Sequence, residues 1–277
     1  MTYKHTAATP NVPEMLRLSD PGVREQLQTL PDSVVLIGLT TDGQPVCADL
    51  DADSPHFLVC SATGGGTTTV LRTLTAQLLH HGAHALVLDL KRISHRWAQG
   101  LPDVTYCRDI ASIHDALIGL RAEMGRRIGH IDQHGDADDL PRLTVVFEAA
   151  DATLNSLARH WGKVREKGDP KTSPAIDALE DLLFAGRQAR MHVLLAGHLN
   201  RPLGPEAREK FSTLVLGRVT TGTWERLVPY VDTVPKGNTH PGRVHVVQGL
   251  TALPTQVLLM TDAEAAAWAA DTAAGKI

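Results

Sequence analysis

Apolar positions along this chain follow two rhythms. Residues 57–60, 85–90, 143–147, 192–196 and 213–216 are short runs, apolar at nearly every position and bounded by glycine or polar residues. Such runs predict strands covered on both faces, as in a parallel sheet. Between them the spacing changes to three and four. Val70, Leu71, Leu74, Leu78 and Leu79 follow Thr67, and Ile110, Ile113, Leu117, Leu120 and Met124 mark 110–131. These and the stretches 152–161 and 175–190 predict amphipathic helices. A short strand is expected at 104–106 and a polar loop at 134–139. Near the start, a helix is expected after Asp20-Pro21, with Asp20 as the N-cap. Runs at 34–37 and 46–50 flank Thr41-Asp42-Gly43-Gln44, an Asp-Gly hairpin signal. After a turn at 201–205, runs at 243–247 and 255–259 predict a closing pair of strands. Thr-Asp-Ala-Glu from Thr261 is a capping box that opens a last helix. The alternation predicts an α/β fold: a mostly parallel sheet with helices on both faces. One domain is expected over 33–277, with an N-terminal extension over 1–32 and no internal repeat.

Chemistry concentrates in residues 56–79, HFLVCSATGGGTTTVLRTLTAQLL. A strand runs into a glycine-rich turn and then a helix. Glycines let backbone N–H groups face an anion, and the helix N-terminus adds partial positive charge, so this layout is a phosphate cradle. The P-loop pattern is G-x-x-x-x-G-K-[ST]. Aligned on Gly66, its first glycine falls on Ser61, its lysine on Thr67 and its hydroxyl residue on Thr68. Thr63, Gly64, Gly65, Gly66, Thr67, Thr68 and Thr69 are therefore the candidate nucleotide-binding residues. The missing lysine has a cost. Charge-assisted hydrogen bonds contribute about 1.5–3 kcal/mol against about 1 for neutral ones, so binding weakens by roughly 3- to 30-fold. The loss grows in a transition state where charge develops.

Composition narrows the partners. The 277 residues, 43% of them hydrophobic, suffice for one large α/β domain. No apolar run approaches the ~18 residues that span a bilayer. The first ten residues have no apolar centre, so no signal peptide and a cytoplasmic protein are expected. A net charge of −4 argues against a monomer that coats DNA, though not against a ring with a basic lumen. At 4% aromatic residues, base-stacking platforms are not expected. Cys47, Cys60 and Cys107 read as small buried hydrophobes in a reducing compartment. His80, His81 and His84 read as a solvated helix end rather than a metal site.

Longer stretches carry a resemblance. Residues 57–74, LVLDLKRISHRWAQGLPDVTYCRDI at 86–110, VVFEAADATL at 145–154, 171–197, and PGRVHVVQG at 241–249 resemble the motor domain of the FtsK/SpoIIIE family of DNA translocases. The similarity is to short actinobacterial members related to plasmid-transfer proteins and covers about 33–265. It implies a RecA-like P-loop fold and ATP at the strand–loop–helix. Mg²⁺ would sit on Thr68 and, through water, on Glu148. It also implies a hexameric ring with double-stranded DNA in its pore. The family's membrane anchor, and the winged-helix domain of some members, are not expected here.

Against that family the chain departs where chemistry is expected. The strand 143–147 leads to Glu148-Ala149, where many members carry an acidic pair, and Ala149 replaces the carboxylate that would polarise water. His198 stands where a glutamine usually senses the γ-phosphate. With Thr67, three departures converge on one site. Each candidate also has a plainer reading. Glu148 either assists Mg²⁺ or caps a helix. Asp89 and Lys91 are a polar pair at the ligand end of a strand or a solvated loop. Arg218 and Arg226 are arginine fingers toward a neighbouring subunit or surface residues. Lys163, Arg165, Lys167 and Lys171 face DNA or water, with Glu166 and Asp169 diluting their field. Three functions follow. The triple departure favours a non-hydrolysing relative that binds nucleotide weakly or not at all and acts through self-association, an active FtsK-like partner or DNA. An ATP-driven DNA translocase needs a substitute cation such as Lys91 or a lysine in trans. The third is an interaction module without nucleotide.

Overall fold

The computed structural model describes residues 14–199, 202–203, 205–231 and 240–271. The strands are β1 (Leu16–Arg17), β2 (Val34–Thr40), β3 (Pro45–Asp49), β4 (His56–Cys60), β5 (His84–Leu88), β6 (Val104–Cys107), β7 (Leu143–Phe147), β8 (Met191–Ala196), β9 (Thr213–Leu216), β10 (Arg243–Gln248) and β11 (Thr251–Leu259). The helices are α1 (Val23–Thr29), α2 (Thr67–His80), α3 (Ile110–His134), α4 (Ala150–Val164), α5 (Pro174–Ala185), α6 (Pro205–Glu209), α7 (Thr221–Leu227) and α8 (Asp262–Ala270). All strands join one sheet in the order β3-β2-β11-β10-β9-β4-β8-β7-β5-β6, with β1 pairing in parallel with β11. From β9 to β6 every pairing is parallel, and β10, β11, β2 and β3 extend the sheet antiparallel.

The continuous apolar runs have the expected cause. Along β4, Phe57 and Val59 join the core beneath α2 and α8, whereas Leu58 and Cys60 join the core beneath α3, α4 and α5. Successive strand residues point to opposite faces, so a strand buried on both sides is apolar at nearly every position. Helices therefore cover both faces, as predicted. Of the stretch 1–32, residues 14–32 are described. Leu16, Leu18, Val23 and Leu27 are buried in the same core as α2, so this part belongs to the domain body.

Several boundaries differ from the sequence reading for local reasons. The first helix is capped by Gly22, while Asp20 accepts from the Arg17 N–H. The helix expected to reach 190 stops at Ala185, because Met191 N–H bonds Gly186 O and turns the chain into β8. β11 begins at Thr251, its early half hidden by Pro254, which pairs opposite His245. Two short helices, α6 and α7, lacked a periodic signal. The turn expected at 201–205 lies partly outside the described residues. The capping box at Thr261 is present, with Glu264 as its partner.

Candidate phosphate-binding cleft

Parallel strands all present their carboxyl ends to one edge of the sheet, and the loops that leave those ends build a cleft. Its volume is about 560 Å³, and its lining includes Thr63, Gly64, Gly66, Thr67, Thr68, Lys91, Glu148, Asp151 and His198. β4 supplies the glycine loop, β5 the segment with Lys91, β7 Glu148 and β8 His198. Because β8 lies between β4 and β7, the loop and Glu148 are about 10 Å apart at the strand level, and side chains must bridge the gap.

The loop keeps the shape of an anion cradle. Gly64 and Gly66 are left-handed, at φ 75° and 88°, and Gly66 is the N-cap of α2. The first helical bond runs from Val70 N–H to Gly66 O, so the N–H groups before it face out of the helix end. Ser61 fits the first-glycine position because both its neighbours are glycine. A Cβ on Gly65 would lie 1.8 Å, and one on Gly217 2.4 Å, from Ser61 Oγ. That hydroxyl accepts from Arg218 N–H at 3.0 Å, and Arg218 Nη2 donates to Thr63 O at 3.1 Å.

Glu148 is the hub of the cleft. Its Oε1 accepts from the Thr68 hydroxyl at 3.1 Å and from Lys91 Nζ at 3.0 Å, and its Oε2 faces His95 Nε2 at 3.1 Å. Trp97 Nε1–H donates to His95 Nδ1, which leaves the ring proton on Nε2, facing the carboxylate. The Glu148 side chain is 2% exposed, His95 0% and Lys91 50%. Burial pushes the Glu148 carboxyl up, but the His95 and Lys91 bonds outweigh it and hold the group at about 2. It is an anion at neutral pH.

Asp89 does not line the cleft. It is fully buried and accepts from the N–H groups of Arg92, Ser94 and His95 and from the Tyr106 hydroxyl, at 2.7–3.1 Å. These four bonds fold the segment after β5 so that Lys91 and His95 both meet Glu148. Asp89 is thus a positioning residue and Lys91 a cleft residue. His198 also lines the cleft. Its backbone N–H donates to Asp151 Oδ2 at 2.6 Å, and its Nδ1 lies 3.2 Å from Cys60 Sγ. Burial pushes the Cys60 thiol up to about 12, so it keeps its proton. Arg226 Nη2 donates to His198 O at 2.9 Å. Arg218 and Arg226 therefore engage the loops of their own chain. Lys163, Arg165, Lys167 and Lys171 are exposed, outside the cleft lining. His80 stacks on Trp268, and no metal-binding cluster of histidine, cysteine and acidic residues occurs among the described residues. His95 and Asp151 escaped the sequence reading. Asp151 in the first turn of α4 was detectable as a polar residue next to Glu148, whereas His95 carried no periodic or motif signal.

The residues fit a nucleotide's phosphates, since the loop amides, the helix N-terminus and a cleft of ligand size coincide. They do not fit Mg²⁺ as arranged. A hard cation needs oxygens turned toward it. Here the Thr68 hydroxyl is turned to Glu148, both Glu148 oxygens are engaged, and position 149 brings no second carboxylate. Ala149 instead takes a left-handed φ of 48° as the N-cap of α4.

No protein-family model matches the chain, and no curated protein matches it. Solved structures do match. The conjugation coupling protein TcpA of pCW3, solved in a monomer form with ATPγS, aligns at TM-score 0.70 and 18% identity, over 91% of this chain and 72% of TcpA. EssC of Geobacillus thermodenitrificans (ATPases 2 and 3) aligns at TM-score 0.70 and 15% identity, over 87% of this chain and 49% of EssC. The cytoplasmic domain of the type VII secretion ATPase EccC of Thermomonospora curvata aligns at TM-score 0.65 and 18% identity, over 88% of this chain and 31% of EccC. The chain thus spans about half of EssC and less than a third of EccC. At under 25% identity these likenesses show the fold, and the α/β P-loop fold expected from the sequence is the fold found. No helix among the described residues is long and apolar enough to cross a membrane.

Proposed function

We propose that this chain is an FtsK/SpoIIIE-like P-loop domain that binds a nucleotide through its glycine loop without hydrolysing it. It acts in the cytoplasm as a nucleotide-binding or protein-interaction subunit in DNA transfer or partitioning, through self-association or beside an active motor. The observation that carries this reading is an intact cradle around an altered centre. Gly64 to Gly66 and the start of α2 keep the anion-binding geometry, while Thr67 and Ala149 occupy the positions of the phosphate-binding lysine and the water-polarising carboxylate. Phosphoryl transfer depends on charge placed around the γ-phosphate. A hydroxyl and a methyl group supply neither cation nor base.

The test is a thermal shift of the full chain with ATP, ADP and ATPγS, each with MgCl₂, alongside phosphate release with and without double-stranded DNA. Binding raises Tm by mass action. A shift without phosphate release is expected. DNA-stimulated release would overturn the reading in favour of a working translocase, for which the contact of Lys91 with Glu148 offers a substitute cation. No shift with any nucleotide would leave an interaction module.

A further inference from the structure

We infer that the ammonium of Lys91 takes the place of a divalent cation in this cleft, so that the site holds a nucleoside triphosphate without metal. The inference rests on the nucleotide-binding reading above and adds a departure from P-loop chemistry. In a P-loop site the cation is held by the Ser/Thr hydroxyl of the loop, an acidic residue at the end of a nearby strand and the phosphates. Here the first two groups already converge. Thr68 Oγ1 and Lys91 Nζ meet at the same Glu148 oxygen, 3.1 and 3.0 Å away. The positive charge at the oxygen that both share is that of Lys91.

Three further observations make this more than a surface ion pair. First, Lys91 is delivered by a built element. The buried Asp89 ties the three backbone N–H groups of Arg92, Ser94 and His95, which sets the path of the segment that starts at Lys91. Second, Lys91 lines the same cleft as Gly64, Gly66 and Thr67. An ammonium has three donors and Glu148 uses one, which leaves donors for a phosphate. Third, Glu148 is locked from behind by His95, which is fully buried. The carboxylate cannot swing out to become a metal ligand without stripping that N–H of its partner.

The experiment measures binding of ATP and of inorganic triphosphate to the full chain by titration calorimetry, in excess EDTA and in MgCl₂. In EDTA, ATP affinity is expected within about threefold of its value in Mg²⁺. Lys91→Met is expected to weaken it by at least about tenfold in EDTA. Lys91→Arg, which keeps the charge, stays within a few-fold of the wild type. Because Lys91 is half exposed, both variants keep the unliganded Tm. Binding that requires Mg²⁺, or an affinity that Lys91→Met leaves unchanged, overturns the inference and leaves the nucleotide-binding reading standing. Failure of both probes to bind in either buffer overturns both. Triphosphate binding as tight as ATP binding places all recognition on the phosphates, in support of the inference.

Discussion

Truncating Glu148 separates its buried partner from its exposed ones. In Glu148→Ala the three donors lose their acceptor unequally. Lys91 is half exposed and Thr68 sits at the cleft wall, so both exchange Glu148 for water at little cost. His95 is fully buried and its Nε2–H has no water to turn to. An orphaned buried donor costs about 1–3 kcal/mol, and the space left against His95 adds about 1. The variant should lose about 2–4 kcal/mol, or roughly 5–15 °C in Tm at a few degrees per kcal/mol for a chain of this size. Glu148→Gln restores one acceptor, which His95 takes, and should lose about 1 kcal/mol. Lys91→Met should stay within about 0.5 kcal/mol of the wild type. The assay is denaturant unfolding at pH 7, comparing midpoints at a common slope. If Glu148→Ala is no more destabilising than Lys91→Met, the carboxylate is not held by a buried histidine, and the argument that it cannot turn to a metal falls with it.

Acid should unfold the protein well above the usual carboxylate range. His56 and His192 lie on adjacent strands, both buried, and burial lowers them to about 4 and about 3. The unfolded chain takes up these protons near pH 6.5 and the folded one does not. Their contribution is therefore complete above pH 6.5 and shrinks as pH falls toward 4 and 3, by up to about 1.4 kcal/mol per group per pH unit. Glu148 has the carboxylate pattern: its share is present above about 4.5 and fades as pH falls toward 2. A Tm that stays flat between pH 6.5 and 4.5 would contradict the histidine assignment. In the glycine loop, Gly65→Ala places a Cβ 1.8 Å from Ser61 Oγ. It should abolish the ATP-induced thermal shift while far-UV circular dichroism stays native. Ser61→Gly removes only the acceptor of the Arg218 N–H and should keep that shift. Equal behaviour of the two variants would mean that the shape of the loop does not govern binding.

The fold was legible wherever burial alone decides the residue. The strands β4, β5, β7, β8 and β9 are sandwiched between helices, so nearly every position is apolar and the run announces itself. What escaped is structure decided by single contacts. The end of α5 depends on a bond between Gly186 and Met191, and the start of β11 is masked by Pro254. Neither α6 nor α7 is long enough to show a period.

The site divides along the same line. Residues 61–69 were legible because one contiguous loop carries the whole cradle, and its glycine spacing is the geometry itself. Glu148 was legible as the residue that ends a buried strand. Lys91 and His95 were not assignable, since a lysine and a histidine two and six residues after Asp89 look alike whether they face water or a carboxylate. Only the four bonds to Asp89 turn that segment inward, and those bonds come from three backbone N–H groups and a tyrosine 17 residues away. A motif search scores the lysine position inside the loop and finds Thr67. The cation that reaches the cleft comes instead from the loop after β5, three strands away along the same sheet edge. A P-loop is a spatial arrangement of amides, hydroxyl, carboxylate and positive charge, and the charge is the one component the backbone does not have to supply from within the loop. Another loop at the same sheet edge can place it in the cleft, whereas the amides belong to the turn between β4 and α2.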